Sequence, residues 1–211
     1  MQNQKKFFIC GIDEAGRGPL AGPVSVGGVI LAVGTKIQGI NDSKKLKANH
    51  REELEEEIKT KALAYSCIEV EPETIDQINI LQATKLGMKQ VAEELIRKIN
   101  VIFPDSQNIF HFLVDGNQKF CTTLSQDPII KGDGLIKLIG SASILAKVTR
   151  DNIMKGYHLR YPEYDFHRHK GYSTSGHDQK IRKFGLCEIH RRSFCKKYSG
   201  TINLVKNEVC K

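Results

Sequence analysis

Residues 6–19 read KFFICGIDEAGRGP, and this stretch decides the class of the fold. Its first half is apolar and rich in β-favouring side chains, which predicts a buried strand over residues 6–13. Asp13 and Glu14 stand at the end of this strand, immediately before a glycine-rich turn. Two adjacent carboxylates in such a place repel each other and are costly to desolvate unless a cation joins them. The stretch therefore predicts a strand whose end attracts cations.

Three further apolar segments predict strands at residues 25–33, 64–70 and 109–114. Apolar residues at helical spacing predict helices over residues 48–63, from Thr74 or Asp76 to residue 99, and from about residue 135 to 159. The last of these is rich in small residues, which suits close packing against a sheet. Strands that come early and then alternate with helices indicate an α/β fold with a mixed β-sheet flanked by helices.

The length and composition are those of an ordinary globular protein. The chain has 211 residues, of which 40% are hydrophobic and 27% charged, so it can bury a full core. We expect a single domain over residues 1–211, in which residues 173–211 form a small basic helical C-terminal extension. No apolar run approaches the roughly 18 residues of a membrane span, and residues 1–6 do not resemble a secretory signal. We therefore expect a cytoplasmic monomer without a membrane partner.

The cysteines point to the same compartment. The six are scattered, and none forms a CxxC pair, so a zinc site built on cysteines and a disulfide scaffold are both disfavoured. Free thiols in a reducing cytoplasm fit this pattern best. The residues concerned are Cys10, Cys67, Cys121, Cys187, Cys195 and Cys210.

The positive charge is concentrated at the C-terminal end. Residues 1–150 hold 19 basic and 18 acidic residues, whereas residues 151–211 hold 13 basic and 6 acidic residues and five of the seven histidines. A basic surface on one side suits a polyanionic partner, and a solvated helical face is the alternative. The run at residues 173–175 offers an N-cap for a basic helix, and Gly185 offers a C-terminal stop.

Two more acids occupy positions comparable to the first pair. Asp115 closes the apolar strand at residues 109–114, and Asp133 follows a Lys-Gly pair just before a helix. Each alone is an ordinary strand-end or helix-capping acid, but strand ends of an α/β sheet converge at one edge, where ligands bind. Oxygen ligands of this kind suit Mg²⁺ or Mn²⁺. Paired divalent ions catalyse phosphoryl transfer without a protein nucleophile, and the sequence contains no GxSxG elbow or P-loop.

Six ordered blocks resemble the type 2 ribonucleases H, specifically the bacterial ribonuclease HII family. The similarity spans roughly residues 7–192, nearly the whole chain. A DE pair alone would be worthless, but six blocks in the right order are specific. They are residues 11–24 (GIDEAGRGPLAGPV), 41–46 (NDSKKL), 114–116 (VDG), 131–133 (KGD), 141–151 (SASILAKVTRD) and 169–172 (HKGY).

The resemblance implies an RNase H-like fold and an endonuclease that cuts the RNA strand of RNA–DNA hybrids. It also implies incision on the 5′ side of single ribonucleotides embedded in duplex DNA, which leaves 3′-hydroxyl and 5′-phosphate ends. Such an enzyme would serve ribonucleotide removal, DNA repair and primer removal. By motif position, the catalytic and metal-binding residues are Asp13, Glu14, Asp115 and Asp133, which would hold two Mn²⁺ or Mg²⁺ ions when substrate is bound.

The resemblance further implies that Gly16, Arg17 and Gly18 form the loop that reads the ribose 2′-hydroxyl, and that Tyr172 lies against the deoxyribose that follows. The chemistry agrees, because the 2′-hydroxyl distinguishes RNA from DNA and glycines let the backbone approach a ribose closely. Arg17 can hold a phosphate through charge-assisted hydrogen bonds. The alternatives are a glycine turn carrying a surface arginine and a half-buried tyrosine that only packs.

Several other polar residues could contact phosphates. Ser43, Lys44 and Lys45 form a compact polar loop suited to that role. Lys147 and Arg150 lie three residues apart on one predicted helix and could act in the same way, or could be solvated helix residues.

Some histidines and one acid are competing candidates. Asp151 is a rival to Asp133, but Asp133 precedes its helix as the family's motif does. His167, His169 and His177 invite a general-acid or metal-binding interpretation, and we favour phosphate-binding or packing roles because the hydrolysis needs no histidine.

Two other functions remain alternatives. A non-catalytic nucleic-acid-binding module would gain nothing from four carboxylates facing phosphates. Ribonuclease HIII resembles this chain but carries an additional N-terminal domain, and only about six residues precede the first predicted strand here.

Overall fold

The computed structural model describes residues 4–40 and 46–198, and its centre is a five-stranded mixed sheet. Two sequence-predicted substrate residues, Ser43 and Lys44, lie outside the described residues, as does Lys45. The sheet confirms the predicted α/β class with a mixed sheet. Its strands are β1 (Lys5–Ala15), β2 (Val24–Leu31), β3 (Ala62–Val70), β4 (Gln107–Asp115) and β5 (Gln126–Ile129).

The order of the strands is β3-β2-β1-β4-β5, with β1 at the centre. Strands β1, β2 and β3 pair antiparallel, while β4 runs parallel to β1 and β5 runs parallel to β4. Ile12 pairs with Val114 in the β1–β4 register. The next residues, Asp13 and Asp115, therefore leave the two strands at the same level of the sheet.

The α-helices of the described residues flank this sheet, and the two longest cover its two faces. In chain order the helices are α1 (Ala48–Lys61), α2 (Pro72–Ile102), α3 (Gly132–Leu135), α4 (Lys137–Arg160), α5 (Phe166–His169) and α6 (Ser175–Phe184). Helix α2 packs on β2 and β3, whereas α4 packs on β1 and β2. The predicted start of α2 at residue 74 or 76 is late, because Pro72 fits the first helical turn. Asn79 interrupts α2 with φ 66° and ψ 164°, and its Oδ1 accepts the N–H groups of Leu81 and Gln82.

Helix α4 lies directly on the backbone of the sheet, as its small residues predicted. A Cβ atom on Gly27 of β2 would come within 2.3 Å of the Ala142 carbonyl oxygen and 2.8 Å of the Ala146 nitrogen. Only glycine permits that approach. The contact brings Ser143, on the same helix, to the end of β1.

Strand β5 and helix α3 were missed by the sequence analysis. β5 has four residues, QDPI, and lies at the edge of the sheet. A proline is tolerated at an edge but gives no strand signal. Helix α3 is a single turn, which is too short for a helical period.

The basic C-terminal segment packs onto the rest of the molecule. Thr174 caps α6 by accepting the His177 N–H at 3.2 Å, and Gly185 ends the helix with φ 81°, which confirms both predicted boundaries. A second hydrophobic core joins this segment to α4 and to the loop after β1; it includes Leu20, Met154, Tyr164, Phe166, Ile181 and Tyr198.

Five of the six cysteines lie in the described part of the chain, and all five are free. Cys210 lies outside the described residues. Within residues 4–40 and 46–198, no helix combines the length and the apolar character needed to cross a bilayer.

Candidate active site

The first two predicted acids lie at the end of the central strand. Asp13 is only 3% exposed, and its Oδ1 accepts the Glu14 N–H at 2.7 Å. The Ser143 side chain of α4 also hydrogen-bonds to this carboxylate. Burial raises the pKa of Asp13 well above its usual range, and the charges of Glu14 and Asp115 raise it further. Crowded, desolvated carboxylate oxygens are a donor set that fits a hard divalent cation.

The other two acids are joined to this group through α3. The Asp115 Oδ1 accepts the Gly132 N–H at 2.8 Å and the Asp133 N–H at 3.4 Å. Asp133 is buried, and its own Oδ1 accepts the Gly134 N–H at 3.0 Å. The structure thus brings the four predicted acids from three segments of the chain to one edge of the sheet.

A cavity of about 240 Å³ opens beside Asp13 and Glu14. Arg17 extends from the loop after β1, with Nη1 3.3 Å from the Glu14 Oε1. Tyr172 also lines this opening and is 43% exposed. Further lining residues include Gly16, Gly18, Ser143 and Lys147.

Two buried arginines shape the loop that carries Arg17. Arg191 is fully buried and donates to the carbonyl oxygens of Gly16 at 2.6 Å, Arg17 at 2.9 Å and Gly22 at 2.9 Å. Sequence reasoning missed it, because nothing in its neighbourhood distinguishes it from the other basic residues of the tail. It serves to hold the backbone of the glycine-rich loop.

Arg150 has the same type of role on the other side of the loop. It is 1% exposed and donates to the carbonyl oxygens of Ala21, Pro23 and Lys170 at 2.9 to 3.1 Å. The hypothesis that Arg150 contacts phosphate is therefore wrong, and so is the alternative that it is a solvated helix residue. This one guanidinium group therefore hydrogen-bonds both to the segment before Tyr172, at Lys170, and to the loop after β1, at Ala21 and Pro23.

Asp151 sits among cations one turn along α4 from Lys147. Its Oδ1 lies 2.6 Å from Lys147 Nζ, and its Oδ2 lies 3.7 Å from Arg51 Nη2. The ion pairs with Lys147 and Arg51 are a sufficient structural reason for an acid at position 151, because the carboxylate balances their charges. Lys147 also lines the cavity.

A chain of histidine hydrogen bonds supports the backbone of Tyr172. Cys187 N–H donates to His190 Nδ1 at 3.0 Å, the two Nε2 atoms of His190 and His177 are 3.1 Å apart, and His177 Nδ1 lies 3.0 Å from the Tyr172 carbonyl oxygen. This order requires His190 to donate from Nε2 and His177 to donate from Nδ1, so both rings are neutral. His169 stacks on His177 at 4.3 Å between ring centroids.

We expect the folded protein to lose stability in mild acid because of these two rings. Burial, with neighbouring histidines, lowers the pKa of His177 to about 4 and that of His190 to about 3. His169 and Cys187 face the pair, and Asp178 only partly offsets the shift of His177. Because the unfolded histidines have a pKa near 6.5, the unfolded chain binds more protons below that pH. The stabilisation is complete above pH 6.5 and is lost as the pH falls toward the folded values.

The measurement is urea unfolding of wild type and His190→Gln at pH 7, 6 and 5. As the pH falls, the free energy of unfolding should decrease more steeply in wild type than in His190→Gln. The difference in slope should be up to about 1.4 kcal/mol per pH unit, which is the contribution of the one histidine removed. His111→Gln is the control, because His111 is partly exposed and pairs with Asp127 on another part of the sheet. Equal slopes in wild type and His190→Gln would contradict the assignment.

Comparison with known proteins agrees with this geometry. A family model described as Ribonuclease HII matches residues 10–197. Ribonuclease HII of Ruminiclostridium cellulolyticum is 47% identical over 191 residues, which is 90% of this chain and 71% of that protein. A solved structure of the PCNA:RNase HII complex from Archaeoglobus fulgidus superposes with a TM-score of 0.70 at 25% identity, covering 92% of this chain and 97% of that one. Bst-RNase HIII in complex with Mn²⁺ shares the fold, with a TM-score of 0.63 at 15% identity over 92% of this chain and 66% of that one.

The mixed sheet with its flanking helices is thus an RNase H-like fold, and the protein is a nuclease of the ribonuclease H class. Within that class, the chain belongs to the ribonuclease HII family. This family depends on divalent metal ions and acts on the RNA strand of RNA–DNA hybrids.

Proposed function

We propose that this protein incises the 5′ side of single ribonucleotides embedded in duplex DNA, in addition to cleaving the RNA strand of hybrids, and leaves 3′-hydroxyl and 5′-phosphate ends. The observation that carries the proposal is the cavity that joins the carboxylates Asp13 and Glu14 to the Gly16–Gly18 loop and to Tyr172. A reactive centre, a ribose-contacting loop and an aromatic ring share one opening. That arrangement suits a junction between one ribonucleotide and a deoxyribonucleotide.

The four acids would hold two divalent ions, Mn²⁺ or Mg²⁺, in this proposal. Asp13 and Asp115 leave adjacent strands, Glu14 follows Asp13, and Asp133 is linked to Asp115 through backbone hydrogen bonds. Bound divalent ions supply Lewis-acid stabilisation of the charge that develops on the phosphodiester. The protein's part is to fix the carboxylates, and Ser143 and the Gly132 N–H do so by hydrogen bonds to Asp13 and Asp115.

The loop after β1 would recognise the ribose. Gly16 has φ 95°, a conformation that favours glycine, and its Cβ position is filled by the Arg150 side chain. At Gly18, by contrast, no atom of residues 4–40 or 46–198 apart from the chain neighbours lies within 4 Å of the space that a Cβ would take. The loop backbone can therefore come close to a sugar, and its groups can hydrogen-bond to a 2′-hydroxyl. Arg17 would bind the adjacent phosphate, and Lys147 a second one. Ser43 and Lys44 complete the proposed set of phosphate contacts.

Tyr172 would test for the absence of a hydroxyl on the next sugar. Its exposed ring lies beside Gly171, whose N–H is held by His169 at 3.2 Å, and its own carbonyl is held by His177. A flat ring in a fixed position packs well on a deoxyribose and would meet the additional oxygen of a ribose.

The test is cleavage of an end-labelled duplex that carries one ribonucleotide, mapped to the nucleotide in Mn²⁺ and in Mg²⁺. We expect one cut on the 5′ side of the ribonucleotide. Tyr172→Ala should slow this cut by about tenfold or more, because loss of aromatic stacking costs roughly 1–3 kcal/mol. Tyr172→Phe is the matched control and should retain the activity. No cut at the single ribonucleotide, with cleavage of an all-RNA strand retained, would refute the proposed specificity.

A further inference from the structure

Two histidines and an aspartate meet at the far end of α4. His158 lies in the last turn of α4, Asp165 follows the 3₁₀ turn at Pro162–Tyr164, and His167 belongs to α5. One ligand atom from each side chain lies within 4.8 Å of those of the other two. The rings of His158 and His167 have their centroids 3.9 Å apart. Nothing in the proposed nuclease chemistry uses these three residues.

A second observation points to a ligand at this place. The Nδ1 atom of His158 is buried and has no hydrogen-bond partner among residues 4–40 and 46–198. Buried polar atoms of proteins are nearly always paired, and exceptions call for an ordered water or an ion. The ring that carries this buried, unpaired nitrogen also offers a ligand atom beside a second imidazole and a carboxylate, and such a set of side chains is suited to metal coordination.

We propose that His158, Asp165 and His167 form a second metal site, separate from the carboxylate edge, for a divalent cation of the Zn²⁺ class. Two imidazole nitrogens and one carboxylate oxygen favour Zn²⁺, Co²⁺ or Ni²⁺ over Mg²⁺, which prefers oxygen ligands alone. Water would fill the remaining coordination positions. Metal–ligand distances of about 2.0–2.2 Å place neighbouring ligand atoms roughly 3.4 Å apart, which is closer than the 4.8 Å limit within which the three atoms now lie. Binding would therefore require a side-chain movement, and the exposed His167 would have to make it.

Asp165 supplies the negative charge of this site, and the cations near it are Lys180, Arg168 and Lys170. Lys180 Nζ lies 3.5 Å from Asp165 Oδ2, and both side chains are more than a third exposed. Such a long, solvated ion pair is weak, so a coordinated cation can displace the ammonium group. A bound metal would connect the end of α4 to His167 of α5, which is five residues before Tyr172. We expect this connection to make the segment that carries the Tyr172 ring more rigid.

The experiment is calorimetric titration of the metal-free full-length protein with ZnCl₂ in excess MgCl₂, which occupies oxygen-only sites. We expect one Zn²⁺ per chain that Mg²⁺ does not displace, and a higher melting temperature when Zn²⁺ is present. His167→Asn and Asp165→Asn should each weaken this binding by about 100-fold or more, since even outer-shell changes cost 10–100-fold. Asn suits position 165 because Asp165 has φ 59°, where asparagine is well tolerated.

The matched control is His111→Asn, which removes a histidine that pairs with Asp127 at 3.1 Å and has no role in the site. It should leave the Zn²⁺ affinity unchanged. Melting temperatures in EDTA establish that each variant is folded. Zn²⁺ binding that is absent in wild type, or equal in wild type and folded His167→Asn and Asp165→Asn, would overturn the proposal. Because the readout is binding and not cleavage, this result is independent of the nuclease assignment.

Discussion

Asp13→Asn is expected to reduce hydrolysis of an RNA–DNA hybrid by at least about 10³-fold at saturating substrate. The carboxylate is central to the proposed metal set, and a bound metal contributes several kcal/mol to transition-state stabilisation, with each 1.36 kcal/mol worth tenfold in rate. Asparagine has almost the same shape but cannot neutralise a divalent cation. The measurement is single-turnover cleavage of a labelled hybrid in Mn²⁺ and in Mg²⁺.

The loss of activity should be accompanied by equal or greater thermal stability in EDTA. In the folded protein, burial and the charges of Glu14 and Asp115 raise the pKa of Asp13, which means that its charged form opposes folding at neutral pH. A neutral side chain removes this cost. A folded Asp13→Asn protein that cleaves at the wild-type rate would refute the proposed role. The matched control is Asp127→Asn, because Asp127 is an exposed acid on β5 away from the cavity.

Arg191→Met is expected to lower the free energy of unfolding by about 3–5 kcal/mol, because each buried acceptor left unpaired costs about 1–3 kcal/mol. The substitution removes the donors to the buried carbonyl oxygens of Gly16 and Gly22 and to the partly buried carbonyl oxygen of Arg17. The loop that carries Arg17 should then shift. A displacement of about 1 Å near a reactive centre can reduce the rate about 100-fold. Urea unfolding and cleavage kinetics, at a temperature where circular dichroism shows the variant folded, measure the two effects.

Arg192→Met is the matched control for this prediction. It removes the same charge from the next position, but the Arg192 side chain is exposed, so stability and cleavage should change little. Arg191→Lys should give an intermediate result, because an ammonium group keeps the charge but lacks the planar fork of donors that reaches three carbonyl oxygens. Wild-type stability and rate in Arg191→Met would show that the buried guanidinium does not organise the loop.

The local patterns of the sequence were sufficient for the main elements of the fold. The apolar segments before Asp13 and Asp115 predicted β1 and β4, and the small residues of α4 predicted its contact with the sheet. The edge strand β5 and the single-turn helix α3 are too short to carry a periodicity of their own. Strand β5 depends on pairing with β4, and the first N–H groups of α3 donate to Asp115 at the end of β4. Because neither β5 nor α3 was predicted, the hydrogen bonds that connect Asp133 to Asp115 were not predicted either.

Residue types and their order made the four carboxylates candidates, because strand ends leave a short-range signal in the chain. The roles of the glycine-rich loop and of Tyr172 came from the resemblance of the ordered blocks to the ribonuclease HII family. The sequence could not assign the arginines, since Arg150 and Arg191 look like any other basic residues until the fold removes them from water and surrounds them with carbonyl groups. The same holds for His158 and Asp165. For His167 the sequence raised a metal-binding interpretation, which we set aside in favour of phosphate binding or packing because the hydrolysis needs no histidine, and no partner for it was recognisable in the sequence. The 3₁₀ turn between α4 and α5 brings these three side chains together. The two arginines, by contrast, are buried by segments that lie far away in the chain, and contacts of both kinds are decided by the tertiary structure.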